Sequence, residues 1–183
     1  MNDSIVTEEG MLPMTHITWN DAEAFTKKLN KLTGLPFSLP TEAQWEYAAA
    51  GGESYPYAGS DNIRDVAYYA SNANERLHPV GEKRENGFDL YDMSGNAAEW
   101  CTDWMSRYEN TRVTDPQGPA ENPGHHKKIV RGGSYLANEH DMDIRHRSVQ
   151  TYDTSEPHIG FRVVLNPIPV SYTHLTLPTI CSV

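Results

Sequence analysis

Hydrophobic and polar residues follow a helical spacing in the first part of the chain. Apolar side chains there recur every three or four residues, which predicts the buried face of an amphipathic helix. They are Ala22, Phe25, Leu29 and Leu32. Asn20 is predicted to cap the start of this helix, because Glu23 stands three residues on, as in a capping box. Gly34 followed by Pro36 predicts its end.

A second helix is predicted to begin at Thr41. Gln44 occupies the capping-box position after this threonine. Trp45 and several alanines then continue to Gly51 and Gly52, which suit the end of a helix because glycine adopts a left-handed backbone conformation at low cost.

Short strands and long loops are predicted for the rest of the chain. Residues 53–86 are rich in Gly, Pro, Ser, Asn and Tyr, which is typical of loops. Short strands are predicted at residues 88–91, 129–135 and 160–165. Two capped helices followed by short strands predict an α+β domain.

Composition narrows the classes of function. The 183 residues carry a formal net charge of -10, whereas nucleic-acid binding usually needs a basic patch. We therefore expect no nucleic-acid partner. No apolar run approaches the roughly 20 residues that cross a bilayer, so no membrane span is expected.

The C-terminal segment differs in amino-acid composition from the rest of the chain. No Asp, Glu, Lys or Arg occurs after Arg162. Residues 166–183 are interpreted as a non-native tail, since the last part of them resembles a translated sequencing adapter; the alternative is a short apolar tail. On this interpretation Cys181 is not native, and Cys101 is the one native cysteine.

Five motifs then occur in a fixed order along the chain. They are P-M-T-H-I-T-W at 13–19, L-P-T-E-A-Q-W-E-Y-A-A at 39–49, N-G-F-D-L-Y-D-M-S-G-N-A-A-E-W at 86–100, R-G-G-S-Y at 131–135 and G-F-R at 160–162. In this order they resemble the formylglycine-generating enzyme (sulfatase-modifying factor) family over residues 12–165.

The resemblance implies a C-type-lectin-like fold with two helices, a small antiparallel sheet and much irregular chain. It also implies a further segment before residue 13. Residues 1–11 form an uncertain N-terminal segment that is too short to supply it. We therefore expect the domain to be truncated at its N-terminus, which would leave residues 161–165 as a terminal strand without a partner.

Two family cysteines are replaced. Active members of the family convert a substrate cysteine to formylglycine with copper and O₂, and a cysteine pair after the G-G-S strand binds Cu(I). Here Ala137 and Met142 occupy those positions. Because Cu(I) prefers thiolates, copper is not expected in this chain. His140 together with Met142 is a weak alternative copper pair. Cys101 is expected to lie in the core and not to rescue the site.

The resemblance also implies a structural calcium site in the turn of the third motif. Its ligands would be the carboxylates of Asp92 and Glu99 and the backbone carbonyls of Met93, Gly95 and Ala97. Such a mixture of hard oxygen ligands suits calcium. The alternative is a tight turn in which Asp92 caps a following helix.

The resulting hypothesis is a non-catalytic, calcium-stabilised scaffold that binds a protein or glycan ligand. Its localisation is left open, with an envelope or secreted setting as one alternative. Residues 138–157 are the candidate binding surface, with Asn138, His140 and Asp141 as candidate ligand-binding residues; the alternative is a solvated loop. Alternative functions are a formylglycine-generating oxidase that activates sulfatases, and the variable protein of a diversity-generating retroelement. An iron-dependent sulfoxide synthase is a further alternative, although its iron-binding His motif is not found.

Overall fold

The computed structural model describes residues 8–108 and 111–167. The helices are α1 (Trp19–Thr33), α2 (Glu42–Ala50) and the short α3 (Ile63–Val66), with single 3₁₀ turns at Glu8–Met11 and Glu139–Met142. The strands are β1 (Phe37–Ser38), β2 (Ala98–Trp104), β3 (Lys127–Arg131), β4 (Ser148–Thr151), β5 (Ile159–Gly160) and β6 (Val164–Leu165). The α+β prediction is confirmed.

The start of α1 differs from the prediction. Thr18, not Asn20, is the N-cap: its hydroxyl accepts from the Asp21 amide at 3.1 Å, and the Asp21 carboxylate accepts from the Thr18 amide at 3.0 Å. The predicted apolar face is also less buried than expected. Ala22 is buried, but Leu32 is 75% exposed. The end of the helix at Gly34 is confirmed, with φ of 72°.

Both predicted ends of α2 are confirmed. Thr41 and Gln44 form the capping box, and Gly51 ends the helix with φ of 59°. Trp45, on the inner face of this helix, is 1% exposed. It packs in the main hydrophobic cluster with Cys101 of β2 and Ile129 of β3, so this cysteine is a core residue as predicted.

The larger sheet has the strand order β4-β3-β2-β5. The β4-β3 and β3-β2 pairs are antiparallel, but β2 and β5 are parallel. The small sheet that the resemblance implied is therefore present and mostly antiparallel, with one short parallel pair that makes it mixed. The strand predicted at 160–165 is divided between β5 and β6. Since β6 pairs with β1 in a second, two-stranded sheet, the expectation that residues 161–165 lack a partner was wrong for Val164–Leu165.

Two other predicted strands need correction. Residues 88–91 form a turn and not a strand. The Asn86 side chain accepts hydrogen bonds from the Phe88 and Leu90 amides, which reverses the direction of the chain. The strand predicted at 129–135 is β3, which ends at Arg131. Gly132 and Gly133 follow it with φ of 91° and 67°, a conformation that cannot continue the ladder.

Within the described part of the chain, no helix has both the length and the apolar character needed to cross a membrane.

Candidate metal and ligand-binding sites

The turn that leads into β2 has an unusual backbone. Asp92, Gly95 and Asn96 all have positive φ, at 55°, 84° and 61°. A Cβ atom at position 95 would collide with the backbone oxygen of Tyr68, so only glycine fits there. Asn96 is fully buried, and its side chain bonds both the amide and the carbonyl of His78 at 3.0 Å. The turn is thus held in shape by contacts to residues 68 and 78.

The Asp92 carboxylate lies at the edge of this turn. Its Oδ2 accepts from the Gly81 amide at 2.8 Å, whereas its buried Oδ1 has no hydrogen-bond partner among the described residues. Burial raises the pKa of the Asp92 carboxyl, against the opposing effect of the Gly81 hydrogen bond. A strand, β2, follows the turn and not a helix, so the alternative in which Asp92 caps a helix was wrong.

The three carbonyls predicted as calcium ligands belong to the same turn. They come from Met93, Gly95 and Ala97. Within the described residues, none of the backbone hydrogen bonds made outside helices and strands ends on these oxygens. The turn therefore combines one orphaned carboxylate oxygen with uncommitted carbonyls, which is a donor set that fits calcium.

Among the predicted calcium ligands, Glu99 accepts the most hydrogen bonds. Its Oε2 accepts from Trp45 Nε1 and from Arg162 Nε, both at 2.6 Å, and its Oε1 accepts from Arg162 Nη2 at 2.7 Å. A carboxylate offers about four acceptor positions, so about one is left for a metal. This role of Arg162 was not predicted from the sequence, although the residue belongs to the G-F-R motif at 160–162.

The two positions at which the resemblance predicts the family cysteines lie in a separate hydrophobic cluster. Met142 is fully buried, and Ala137 packs against the same group. The other members are Ile63, Val66, Ala67 and Tyr69, with Tyr57 at the margin. These two positions do not fit copper, because they supply one buried thioether and no thiolate.

No thiol elsewhere in the described residues is poised for chemistry. Cys101 is buried in a different cluster, and burial raises the pKa of its thiol well above the usual value. Cys181 lies outside the described residues, as do residues 168–183 of the predicted tail.

The three predicted ligand-binding residues come together on the 3₁₀ turn Glu139–Met142. The Asn138 amide, at the start of this turn, donates to the Asp141 carboxylate at 3.1 Å. The His140 side chain is 85% exposed and that of Asp141 is one-third exposed. The structure adds His146, whose Nε2 lies 3.5 Å from Asp141 Oδ1. No spacing pattern in the sequence points to His146, since the loop that follows the turn brings this residue back to Asp141.

A partly buried ion network connects α2 to the sheet. Both Arg147 Nε and Nη2 donate to the Glu42 carboxylate, at 2.7 and 2.5 Å. Arg131, whose side chain is fully buried, lies 3.7 Å from Glu42 and donates to Glu46. These contacts give Arg147 a structural role.

Comparison with known proteins adds three findings. Residues 2–167 match the family described as "Sulfatase-modifying factor enzyme 1-like domain". The chain is 36% identical over 170 residues to a formylglycine-generating enzyme of Streptomyces coelicolor, covering 82% of this chain and 51% of that protein. It is 31% identical over 157 residues to the serine/threonine-protein kinase pkn1 of Chlamydia caviae, covering 82% of this chain and 23% of the kinase.

Among solved structures, Treponema denticola variable protein 1 shares the fold with a TM-score of 0.82. The two sequences are 25% identical, and the match covers 91% of this chain and 76% of that one. This chain spans about half the length of the curated formylglycine-generating enzymes it matches, at 51%, 59% and 48% of three of them.

Proposed function

This chain belongs to the sulfatase-modifying factor enzyme 1-like family, and from that premise we propose that it is a non-catalytic member: a calcium-stabilised scaffold that binds a protein or glycan ligand. The observation that carries the proposal is the packing of Ala137 and Met142 in one hydrophobic cluster, at the positions where the family resemblance expects a thiol pair.

The chemistry of those two positions opposes oxidase activity. A methyl group has no lone pair for a metal, and a single thioether is a weak ligand. Met142 is also fully buried against Tyr69 and Val66, so its sulfur serves the packing of the core. Residues 137 and 142 therefore complete the hydrophobic cluster in place of binding copper.

Calcium is the cofactor that the remaining residues support. Asp92 would supply its unpartnered Oδ1, and Met93, Gly95 and Ala97 would supply carbonyl oxygens. Glu99 would contribute its remaining acceptor position while Arg162 holds it in place. The bound ion would supply positive charge that offsets the buried Asp92 carboxylate.

The consequence of calcium binding would be a fixed connection between the turn and the sheet. The Gly95 amide donates at 2.8 Å to the carbonyl of Gly132, directly after β3. The turn thus links β2 to the segment that carries the candidate binding surface. Holding the turn in one conformation would hold that segment too, which is a structural role and needs no catalysis.

The candidate binding surface comprises residues 138–157, with Asn138, His140 and Asp141 at its start. These side chains are polar, exposed or partly exposed, and borne on an ordered turn. Small polar residues and an aromatic such as Tyr152 give a surface that adapts its hydrogen bonds to a ligand. The shared fold with a protein named as variable, and the presence of a relative within a longer kinase, are consistent with a binding role in this chain.

The test is an oxidase assay on the full chain. The protein is incubated with copper, O₂ and a peptide containing Cys-x-Pro-x-Arg, and the peptide is analysed by mass spectrometry for the aldehyde. The Streptomyces coelicolor formylglycine-generating enzyme is the positive control. We expect no conversion by this chain, and turnover of the peptide would refute the non-catalytic proposal.

A matched variant sharpens the result. The double substitution Ala137→Cys and Met142→Cys restores two thiols at the positions of the family pair. If copper binding appears in this variant and not in the unaltered chain, the two residues alone account for the missing copper site. Calorimetric titration with calcium, comparing the unaltered chain with Asp92→Ala, tests the metal separately.

A further inference from the structure

We propose that His140, Asp141 and His146 form a binding site for a divalent transition-metal ion, separate from the calcium turn at Asp92. One ligand atom from each of the three side chains lies within 4.8 Å of the other two. The proposal does not depend on calcium binding or on the absence of oxidase activity.

The separations between the ligand atoms suit a small metal ion. Asp141 Oδ1 is 3.7 Å from His140 Nδ1 and 3.5 Å from His146 Nε2. Zinc–nitrogen and zinc–oxygen bonds of about 2.0–2.2 Å place neighbouring tetrahedral ligands about 3.3 to 3.6 Å apart. Since the His140 side chain is 85% exposed and free to turn, a small rotation closes the remaining gap.

The carboxylate has one oxygen left for a metal. Asp141 Oδ2 accepts from the Asn138 amide at 3.1 Å, which fixes the orientation of the group. Oδ1 is the atom that faces both imidazoles. The two rings stand almost perpendicular, at 84°, with centroids 5.2 Å apart, so they are not stacked in a way that would keep an ion out.

The backbone beneath the three ligands is anchored by buried groups. Ser94 Oγ donates to the Met142 carbonyl at 3.0 Å, and the Ile144 amide donates to Pro56 at 2.9 Å. Arg131, buried and charged, donates to the His146 carbonyl at 2.6 Å. Because these contacts fix the chain on both sides of the loop, the ligands are held close before any metal arrives.

The local charge favours a cation. The segment 139–145 contains three carboxylates, from Glu139, Asp141 and Asp143, and one guanidinium, from Arg145. Arg145 is paired with Asp143 at 3.0 Å, so its positive charge is partly neutralised next to the site. A metal ion at Asp141 therefore meets a net negative surrounding.

The donor set defines the class of metal and of ligand. Two imidazole nitrogens and one carboxylate oxygen suit Zn²⁺ and its first-row neighbours better than Ca²⁺ or Mg²⁺, which prefer oxygen ligands. Three protein ligands at an exposed position leave at least one coordination place open. An oxygen or nitrogen donor of a binding partner could fill it, which would make the ion part of the binding surface.

The experiment is a zinc titration of the full chain by isothermal titration calorimetry, with excess calcium present to saturate any calcium site. The variants are His140→Ala, His146→Ala and Asp141→Asn, and the control is His126→Asn. His126 is an exposed histidine on another loop with φ of 57°, a conformation that asparagine tolerates. All proteins keep residues 168–183, so zinc bound there contributes equally to each.

We expect saturable zinc binding that weakens at least about tenfold in each of the three site variants, since loss of even an outer-sphere partner costs 10–100-fold. His126→Asn is expected to bind zinc as the unaltered chain does. Equal affinities throughout, or an equal loss in the control, would overturn the proposal. His140 is largely exposed, so its alanine variant keeps the test valid even if His146→Ala fails to fold.

Discussion

Asp92 offers a sharp test of the calcium turn, because its carboxylate has one satisfied and one unsatisfied oxygen. Asp92→Asn keeps an oxygen that can accept the 2.8 Å hydrogen bond from the Gly81 amide. It removes the negative charge that a cation at Oδ1 would need. The substitution therefore separates the metal-binding role of Asp92 from its role in holding the turn.

The expected magnitude follows from linkage. At free calcium equal to 100 times the dissociation constant, binding adds about 2.7 kcal/mol to the free energy of unfolding. If loss of the charged ligand weakens binding about 100-fold, the same calcium concentration adds only about 0.4 kcal/mol to the variant. In EDTA the two proteins should differ by less than about 1 kcal/mol, because one buried polar atom remains unpaired in both.

The assay is urea denaturation with calcium and with EDTA, and Asp61→Asn, an exposed carboxylate, is the control. The pH dependence gives a second check. Burial raises the pKa of Asp92 in the folded chain, so without calcium its contribution to stability is present below the unfolded pKa and is lost as pH rises through the folded pKa. Calcium should abolish that loss. An equal calcium effect in Asp92→Asn and in the unaltered chain would refute the assignment.

Three further changes test the packing and the charges of the fold. Met142→Ala should cost about 2–5 kcal/mol in urea denaturation, because the side chain is fully buried, whereas Leu136→Ala at a 47% exposed position should cost far less. Thr18→Ala should lower the free energy of unfolding by about 1 kcal/mol and Asn20→Ala by much less, and the reverse order would contradict the observed cap. Burial lowers the pKa of Lys128 to about 8 from 10.5, so stability should rise between these pH values as the folded chain alone loses the proton. Lys128→Met should remove that rise from the curve of stability against pH, and an unchanged curve would contradict it.

The helix ends show how far local sequence rules reach. Thr41 and Gln44 were recognised because no competing cap stands beside them. At α1, two overlapping boxes were present: Asn20 with Glu23, and Thr18 with Asp21. Composition does not distinguish them. The choice is made by Trp19, whose amide bonds the Tyr152 carbonyl and whose indole donates to the Cys101 carbonyl at 2.9 Å, contacts that span most of the chain.

The same limit explains the sheet and the candidate metal cluster. Ala98 pairs with Ile159, which lies about sixty positions further along the chain. A parallel pairing this short leaves no local pattern in the sequence from which it could be predicted. His146 Nε2 lies 3.5 Å from Asp141 Oδ1, in a loop where Arg131 from β3 donates to the His146 carbonyl. The motifs pointed to the turn of the proposed calcium site, since all its proposed ligands lie within one short segment. They could not point to the cluster of His140, Asp141 and His146, because contacts from distant residues hold its loop.

The turn Glu139–Met142 has a buried side and an exposed side, so its packing is separate from the polar surface that it carries. Met142 points into the core and is fully buried, while its carbonyl is held by Ser94. His140, two residues earlier, points to solvent. Packing of Met142 on the inner side stabilises the turn independently of the side chains on the outer side. With methionine at position 142 the inner side of the turn belongs to the hydrophobic core, and its outer side keeps an exposed polar surface on which the proposed ligand or metal binding can operate.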